Sequence, residues 1–246
     1  MSDEPRDLDG WLEYISGQHR HDIELGLERI RKVADDLRLV PFSCPVIIVA
    51  GTNGKGSSVR ALEMLYTAAG YYTGCYTSPH LTVFNERIRL GGQFVSDAAL
   101  CTAFEQIDKA RGDVPLTYFE YATLAAFLVF TESEPDVVIL EVGLGGRLDA
   151  TNLYPSDIAL ITSISLDHTD WLGDDREAIG FEKAGVIHDG CITVISDPEP
   201  PNSVIAAASG RATRYLQINR DFNFGTERDR WWWRQGDTVS VSYTHL

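Results

Sequence analysis

Four stretches of the chain are almost continuously apolar. They are Val46 to Ala50 (VIIVA), Asp136 to Val142 (DVVILEV), Ile158 to Ile164 (IALITSI) and Ile192 to Ile195. Runs of this length without polar alternation predict central parallel strands covered on both faces. A further strand is expected near Tyr72 to Tyr76. The intervening segments repeat at helical spacing instead: Leu27, Ile30, Val33, Ala34 and Leu37 share one face, as do Val59, Leu62, Leu65 and Ala69. Two helices are expected between about Trp11 and Leu39. Another is capped by Ser96 and runs to about Arg111, and a strongly apolar one covers Tyr118 to Thr131. Strands alternating with helices imply an α/β fold, a doubly wound, mostly parallel sheet. From about Arg214 the pattern changes to polar alternation around Trp231, Trp232 and Trp233, with Gly236-Asp237 as a turn, which predicts a small C-terminal antiparallel hairpin.

Composition narrows this picture. At 246 residues, 44% hydrophobic and 23% charged, the chain has the make-up of an ordinary globular protein. A net charge of −15 argues against a nucleic-acid or anionic-membrane surface. The four cysteines, Cys44, Cys75, Cys101 and Cys191, lie far apart and read as reduced thiols of a cytoplasmic protein. The acidic, polar start (MSDEPRDLDG) does not read as a signal peptide, and no apolar run is long enough to span a bilayer.

The segment Val49 to Ser58 (VAGTNGKGSS) carries the first chemistry. A strand, a glycine-rich turn, a lysine and a hydroxyl opening a helix together surround an anion with N–H groups. The spacing departs from the usual G-x-x-x-x-G-K-[ST] loop, because Val49 stands where its first glycine belongs and Gly56 where its hydroxyl belongs. The nearest hydroxyl is Ser57. A tight turn needing Gly51, Gly54 and Gly56 for backbone reasons is the plainer alternative, but Lys55 has little packing use between two glycines. In an open α/β sheet ligands bind beyond the carboxyl ends of the strands. Ser78, Glu141 and His168 fall at such ends, and a hydroxyl, a carboxylate and an imidazole beside a triphosphate suit Mg²⁺. Each has a bland alternative: turn chemistry for Ser78, a solvated edge charge for Glu141, a surface histidine for His168 beside Asp167 and Asp170. Lys183 by spacing alone is a solvated helix charge.

Read together, several strings resemble the Mur ligase superfamily, and within it the bacterial bifunctional dihydrofolate synthase/folylpolyglutamate synthases. They are IELGLERI (Ile23 to Ile30), VAGTNGKGSS, TSPHL (Thr77 to Leu81), LTYFEYATLAAF (Leu116 to Phe127), VVILEVGLGGRLDATN (Val137 to Asn152), SLDHTDWLG (Ser165 to Gly173) and EKAGVI (Glu182 to Ile187). The resemblance implies a Mur ligase central-domain fold and ATP held by Thr52, Asn53, Gly54, Lys55, Gly56 and Ser57. It implies one Mg²⁺ at Ser78 and Glu141, a second served by His168, and a carbamylated Lys183. Lys55, Lys183 and His168 are the implied catalytic residues. A pterin pocket is implied at Asp22, Ile23, Glu24 and Leu25, at Thr117, Tyr118, Phe119 and Glu120, and at Leu148, Asp149 and Ala150. Phe119 offers a flat apolar surface for a pterin ring, and Thr117 and Asp149 offer hydrogen bonds to its edge.

The implied reaction joins L-glutamate to dihydropteroate and to reduced folates through an acyl phosphate, with ATP and Mg²⁺, in a cytoplasmic monomer. The family's Asp-x-Ala-His-Asn-Pro segment has no counterpart here, and Val241 to Leu246 resembles the translation of a transposase adapter used in sequencing libraries. The expectation is therefore an ATP- and pterin-binding domain over 1–235, a truncated or adapter-derived tail over 236–246, an absent C-terminal glutamate-ligase domain and weak or no ligation. Two other readings compete: a peptidoglycan Mur ligase and a stand-alone nucleotide-binding module.

Overall fold

A computed structural model describes residues 6–19, 23–227 and 230–243. Helices α1 (Leu8–Ser16) and α2 (Glu28–Asp36) precede β1 (Val46–Ala50), α3 (Lys55–Ala68) and β2 (Thr73–Tyr76). Then come β3 (Ile88–Leu90), β4 (Gln93–Phe94), α4 (Asp97–Arg111), α5 (Tyr118–Ser133), β5 (Val137–Glu141) and β6 (Ile158–Ile161). The remainder is α6 (Thr169–Leu172), α7 (Arg176–Lys183), β7 (Ile192–Ile195), α8 (Asn202–Arg211), β8 (Arg214–Gln217), β9 (Phe222–Glu227), β10 (Arg230–Gln235) and β11 (Thr238–Tyr243). Among the described residues no helix is long and apolar enough to cross a membrane.

Every residue of β1 and β5 is buried, as runs that are apolar but for the terminal Glu141 predict. The main sheet has the order β4-β3-β2-β5-β1-β6-β7-β8, so β5 is inserted between β1 and β2. The pairings β2·β5, β5·β1, β1·β6, β6·β7 and β7·β8 are parallel, and β3 and β4 are antiparallel. Both faces are covered. Ile47 and Val49 pack with Val59 of α3, whereas Val46, Ile48 and Ala50 face the larger cluster that contains α5. Helix α5 is buried at every position from Glu120 to Phe130, because the sheet lies on one side and α1, α2 and α4 on the other. That explains an apolar surface all round the helix. The doubly wound, mostly parallel expectation holds.

The structure adds three things the pattern did not predict. The basic segment FNERIRL is a 3-10 turn (Phe84–Arg87) followed by β3, which extends the sheet antiparallel beyond β2. β8 joins the main sheet as its edge strand, although its polar sequence reads as part of the tail. The C-terminal element is a three-stranded antiparallel sheet, β11-β10-β9, rather than a hairpin. Gly236-Asp237 is its second turn, with Gln235 paired to Thr238. The expected tail boundary at 236 thus falls between two paired strands, and Thr244 to Leu246 lie outside the described residues.

One buried ion pair ties the covering helix α3 to the antiparallel edge. Glu63, on α3 and 1% exposed, receives Nε of Arg89 from β3 at 3.0 Å on both carboxylate oxygens. The same arginine donates Nη1 to Thr77 Oγ1 at 3.0 Å and to the Glu86 carbonyl at 2.7 Å.

Candidate active site

The loop after β1 is pinned to the chain after β6. Thr52 N–H donates to the Ser163 carbonyl at 2.7 Å, and Thr52 Oγ1 accepts from Ser165 N–H at 3.0 Å. Asn53 forms a bridge to Ser163. Gly51 packs so closely on Thr162 that a Cβ there would lie 1.7 Å from its hydroxyl oxygen. The backbone reading of this glycine is therefore correct as far as it goes. Lys55, the first residue of α3, curls back over the loop and donates Nζ to the carbonyls of Gly51 at 3.0 Å and Thr52 at 3.2 Å. Gly54, Gly56 and Ser57 complete the turn into the helix, so the N–H groups of its first turn surround the mouth of the loop.

Lys183, at the end of α7, donates to the same Gly51 carbonyl at 2.9 Å. The plain reading of this lysine as a solvated helix charge is overturned, for it is 3% exposed. Burial and the neighbouring Lys55 ammonium push its pKa down to about 8, against the opposing pull of Asp167 and Asp149.

Glu141 ends β5 and is buried, so neither is it a solvated edge charge. Its Oε2 accepts from Ser78 N–H at 3.1 Å. Burial raises the carboxyl pKa, and the Ser78 N–H, Lys55 and Arg89 oppose that rise. Ser78 follows β2 and is joined to Pro79 by a cis peptide. Ser78 and Glu141 thus meet through a backbone N–H, and with Gly56 they line a cavity of about 640 Å³. His168 lines neither this cavity nor the one on the other side of Ser78. Its backbone is left-handed (φ 50°), its side chain is 51% exposed, and Asp167 lies 3.6 Å from it. No hydrogen bond or ion pair joins His168 to Ser78 or Glu141 among the described residues. Nor do three His, Cys, Asp or Glu side chains gather into a metal cluster there.

On the other side of Ser78 a cavity of about 450 Å³ opens beneath the N-terminus of α5. Ile23, Glu24 and Leu25 line it from the segment before α2, and Thr117, Tyr118, Phe119 and Glu120 from the start of α5. Leu148, Asp149 and Ala150 line it from the loop after β5. Asp22 lies outside the described residues. Phe119 lies against Gly143, where a Cβ would stand 2.6 Å from the ring, and its centroid is 5.9 Å from that of Tyr76.

The polar groups of this cavity are already committed to each other. Thr117 and Glu120 form a reciprocal cap, with Thr117 N–H donating to Glu120 Oε2 at 2.8 Å and Glu120 N–H donating to Thr117 Oγ1 at 3.2 Å. Asp149 accepts from Leu144 N–H at 2.8 Å, Thr151 N–H at 3.0 Å and Thr151 Oγ1 at 2.6 Å, so its carboxylate holds the loop. Burial raises its pKa despite those bonds. Arg29 of α2 links Glu24 to Glu120, donating Nη1 to the Glu24 carboxylate and Nη2 to Glu120 Oε1 at 3.2 Å.

Sequence reasoning missed Arg87, Gly143 and Arg29. Arg87 and Arg89 alternate with Ile88 and Leu90, which is the period of a strand with both charges on one face. That is the signal that was available for Arg87.

Comparisons with known proteins agree with this geometry. The Mur ligase middle domain family matches residues 49–199. The dihydrofolate synthase/folylpolyglutamate synthase of Escherichia coli (strain K12) is 46% identical over 224 residues, covering 91% of this chain and 53% of that protein. The chain thus spans about half the length of the curated relatives it matches. The solved structure of E. coli FolC in complex with DHPP and ADP superposes with a TM-score of 0.91 at 44% identity, over 96% of this chain and 57% of that one. A bifunctional folylpolyglutamate synthase/dihydrofolate synthase with Mn, AMPPNP and L-glutamate bound superposes with a TM-score of 0.87 at 46% identity, again over 96% of this chain and 57% of that one.

Proposed function

The chain belongs to the Mur ligase family, and from that premise we propose that it is the nucleotide- and pterin-binding part of an ADP-forming ligase. Its reaction joins L-glutamate to dihydropteroate and to the γ-carboxylate of reduced folates. The observation that carries this reading is the position of Ser78, which lines both the ring-sized cavity and the cavity beside Lys55's loop. A flat substrate against Phe119 would therefore present its tail to a phosphate bound at the helix N-terminus. The 46% identity to a folate enzyme favours this reading over a peptidoglycan ligase or a stand-alone nucleotide-binding module.

In the first step the substrate carboxylate attacks the γ-phosphorus of ATP and ADP leaves. In the second the amine of L-glutamate attacks the acyl carbon and phosphate leaves with the C–O bonding pair. Thr52, Asn53, Gly54, Gly56 and Ser57 would cradle the phosphates, and Lys55 would leave its carbonyl partners for their oxygens. Ser78 and Glu141 are oxygen donors of the kind Mg²⁺ takes, and few protein ligands suffice when phosphate supplies the rest. Bound there, the ion would neutralise charge on the phosphate oxygens. Lys183 suits carbamylation, since burial favours the neutral amine, the form that adds CO₂ with loss of a proton. Its carbamate and His168 would then serve a second Mg²⁺.

The test is calorimetric titration of the 246-residue chain with Mg-AMPPNP and with dihydropteroate. Both should bind, and Lys55→Met should weaken the nucleotide by about 100-fold. The chain alone, a cytoplasmic monomer in this reading, should ligate glutamate weakly beside a relative of full length. Failure of dihydropteroate to bind at millimolar concentration sinks the folate reading.

A further inference from the structure

Among the described residues, the charged groups around the 450 Å³ cavity are three carboxylates and one cation, and the cation has no carboxylate partner. Glu24 is paired with Arg29 and His19. Glu120 is paired with Arg29, and Asp149 is saturated by three donors. Arg87 is 8% exposed, lines the same cavity, and has no carboxylate within ion-pair distance among the described residues. Its Nε donates to Nδ1 of His80 at 2.8 Å, so its partner there is a ring lone pair. The guanidinium carbon lies 5.6 Å from the ring centroids of both Phe84 and Tyr118. A permanently charged group held out of water by rings and a neutral imidazole is costly unless an anion completes it.

The position of Arg87 says which anion. Its carbonyl accepts from Thr77 N–H at 2.8 Å, so Arg87 stands directly across from the residue before Ser78. Its backbone is therefore beside the strand end that carries Ser78, which also lines the cavity on the phosphate side. Arg87 is also the one Lys or Arg among the described lining residues. Lys55 is across Ser78, in the adjoining loop.

We propose that Arg87 anchors the carboxylate of the aryl acid that this site activates, holding it at the Ser78 end of the cavity. The proposal rests on the pteroate reading above and deepens it. Planar, two-pronged guanidinium recognition suits a carboxylate, and the flanking rings fix the plane in which it is offered.

The experiment titrates the 246-residue chain with dihydropteroate and with the corresponding neutral carboxamide, which has the same shape without the charge. The unaltered protein should prefer the acid by about 100-fold, and R87M should bind the acid about 100-fold more weakly while binding the carboxamide within about twofold of the original. R87K should fall between, because it keeps the charge and loses the fork. Equal affinity of the unaltered protein for acid and carboxamide would overturn the proposal without any variant. So would an R87M protein that loses both ligands equally. Binding of neither ligand by the unaltered protein would remove the pteroate reading itself, and the proposal with it.

Discussion

The two sides of Ser78 are built on opposite electrostatic plans. In the ring cavity each carboxylate has its donors, the first turn of α5 is capped reciprocally, and Phe119 rests on a glycine that admits nothing larger. Around the phosphate loop two ammonium groups, Lys55 and Lys183, share one backbone carbonyl, that of Gly51. The buried carboxylate facing that loop, Glu141, has its pKa raised by its surroundings. The first side is held by packing and by hydrogen bonds that satisfy its carboxylates, with Arg87 as its one cation among the described lining residues. The second spends stability to keep like charges close, which is how sites for multiply charged ligands hold their cations ready.

The sharpest way to break that contrast is to cut the connection between the two sides. Glu63→Ala removes the carboxylate that ties α3, the helix of the phosphate loop, to β3, the strand that follows Arg87. It leaves Arg89 buried without its partner, so chemical denaturation should show a loss of about 4 kcal/mol. Next comes the pH response of the phosphate side. Lys183 has a folded pKa of about 8 against 10.5 in the free chain, so between those values the unfolded chain binds more protons. The cost of the buried charge is fully present below about pH 8, and stability should rise as pH climbs from there towards 10.5, by up to about 3 kcal/mol. Urea midpoints across that window should show a slope that Lys183→Met flattens. On the cavity side Gly143→Ala drives a methyl into Phe119, with an expected cost of about 2 kcal/mol and weaker dihydropteroate binding at unchanged nucleotide affinity. Thr117→Ala, which removes half of the reciprocal cap, should cost about 1 kcal/mol in thermal unfolding and shift no pH profile.

What could be read from the chain follows the same division. The phosphate loop is contiguous in sequence, and the strands on each side of it are buried on both faces, so its place needs no long-range information. The cavity is assembled from three distant segments, around residues 23, 117 and 148. Their convergence depends on β5 entering between β1 and β2, which no local periodicity records. Those residues were reached through family resemblance. β4 escaped because a strand of two residues carries no measurable period, β3 because its alternation lasts only from Arg87 to Leu90, and β8 because a half-buried edge strand needs little apolar sequence. Arg87 escaped for a different reason: an arginine's burial is decided by the rings around it, Phe84 and Tyr118, and one of them lies on another element.

The insertion of β5 also limits how early in synthesis the sheet can form. Val46 pairs with Val138 and Thr73 with Val137, so strands β1 and β2 emerge from the ribosome with no neighbour between them. Until the segment after α5 has been synthesised, the all-apolar β1 offers two open edges and α5 lacks the sheet it will lie on. Nascent chains stalled before residue 137 should therefore depend on chaperones for solubility, whereas those extended past β6 should already resist protease.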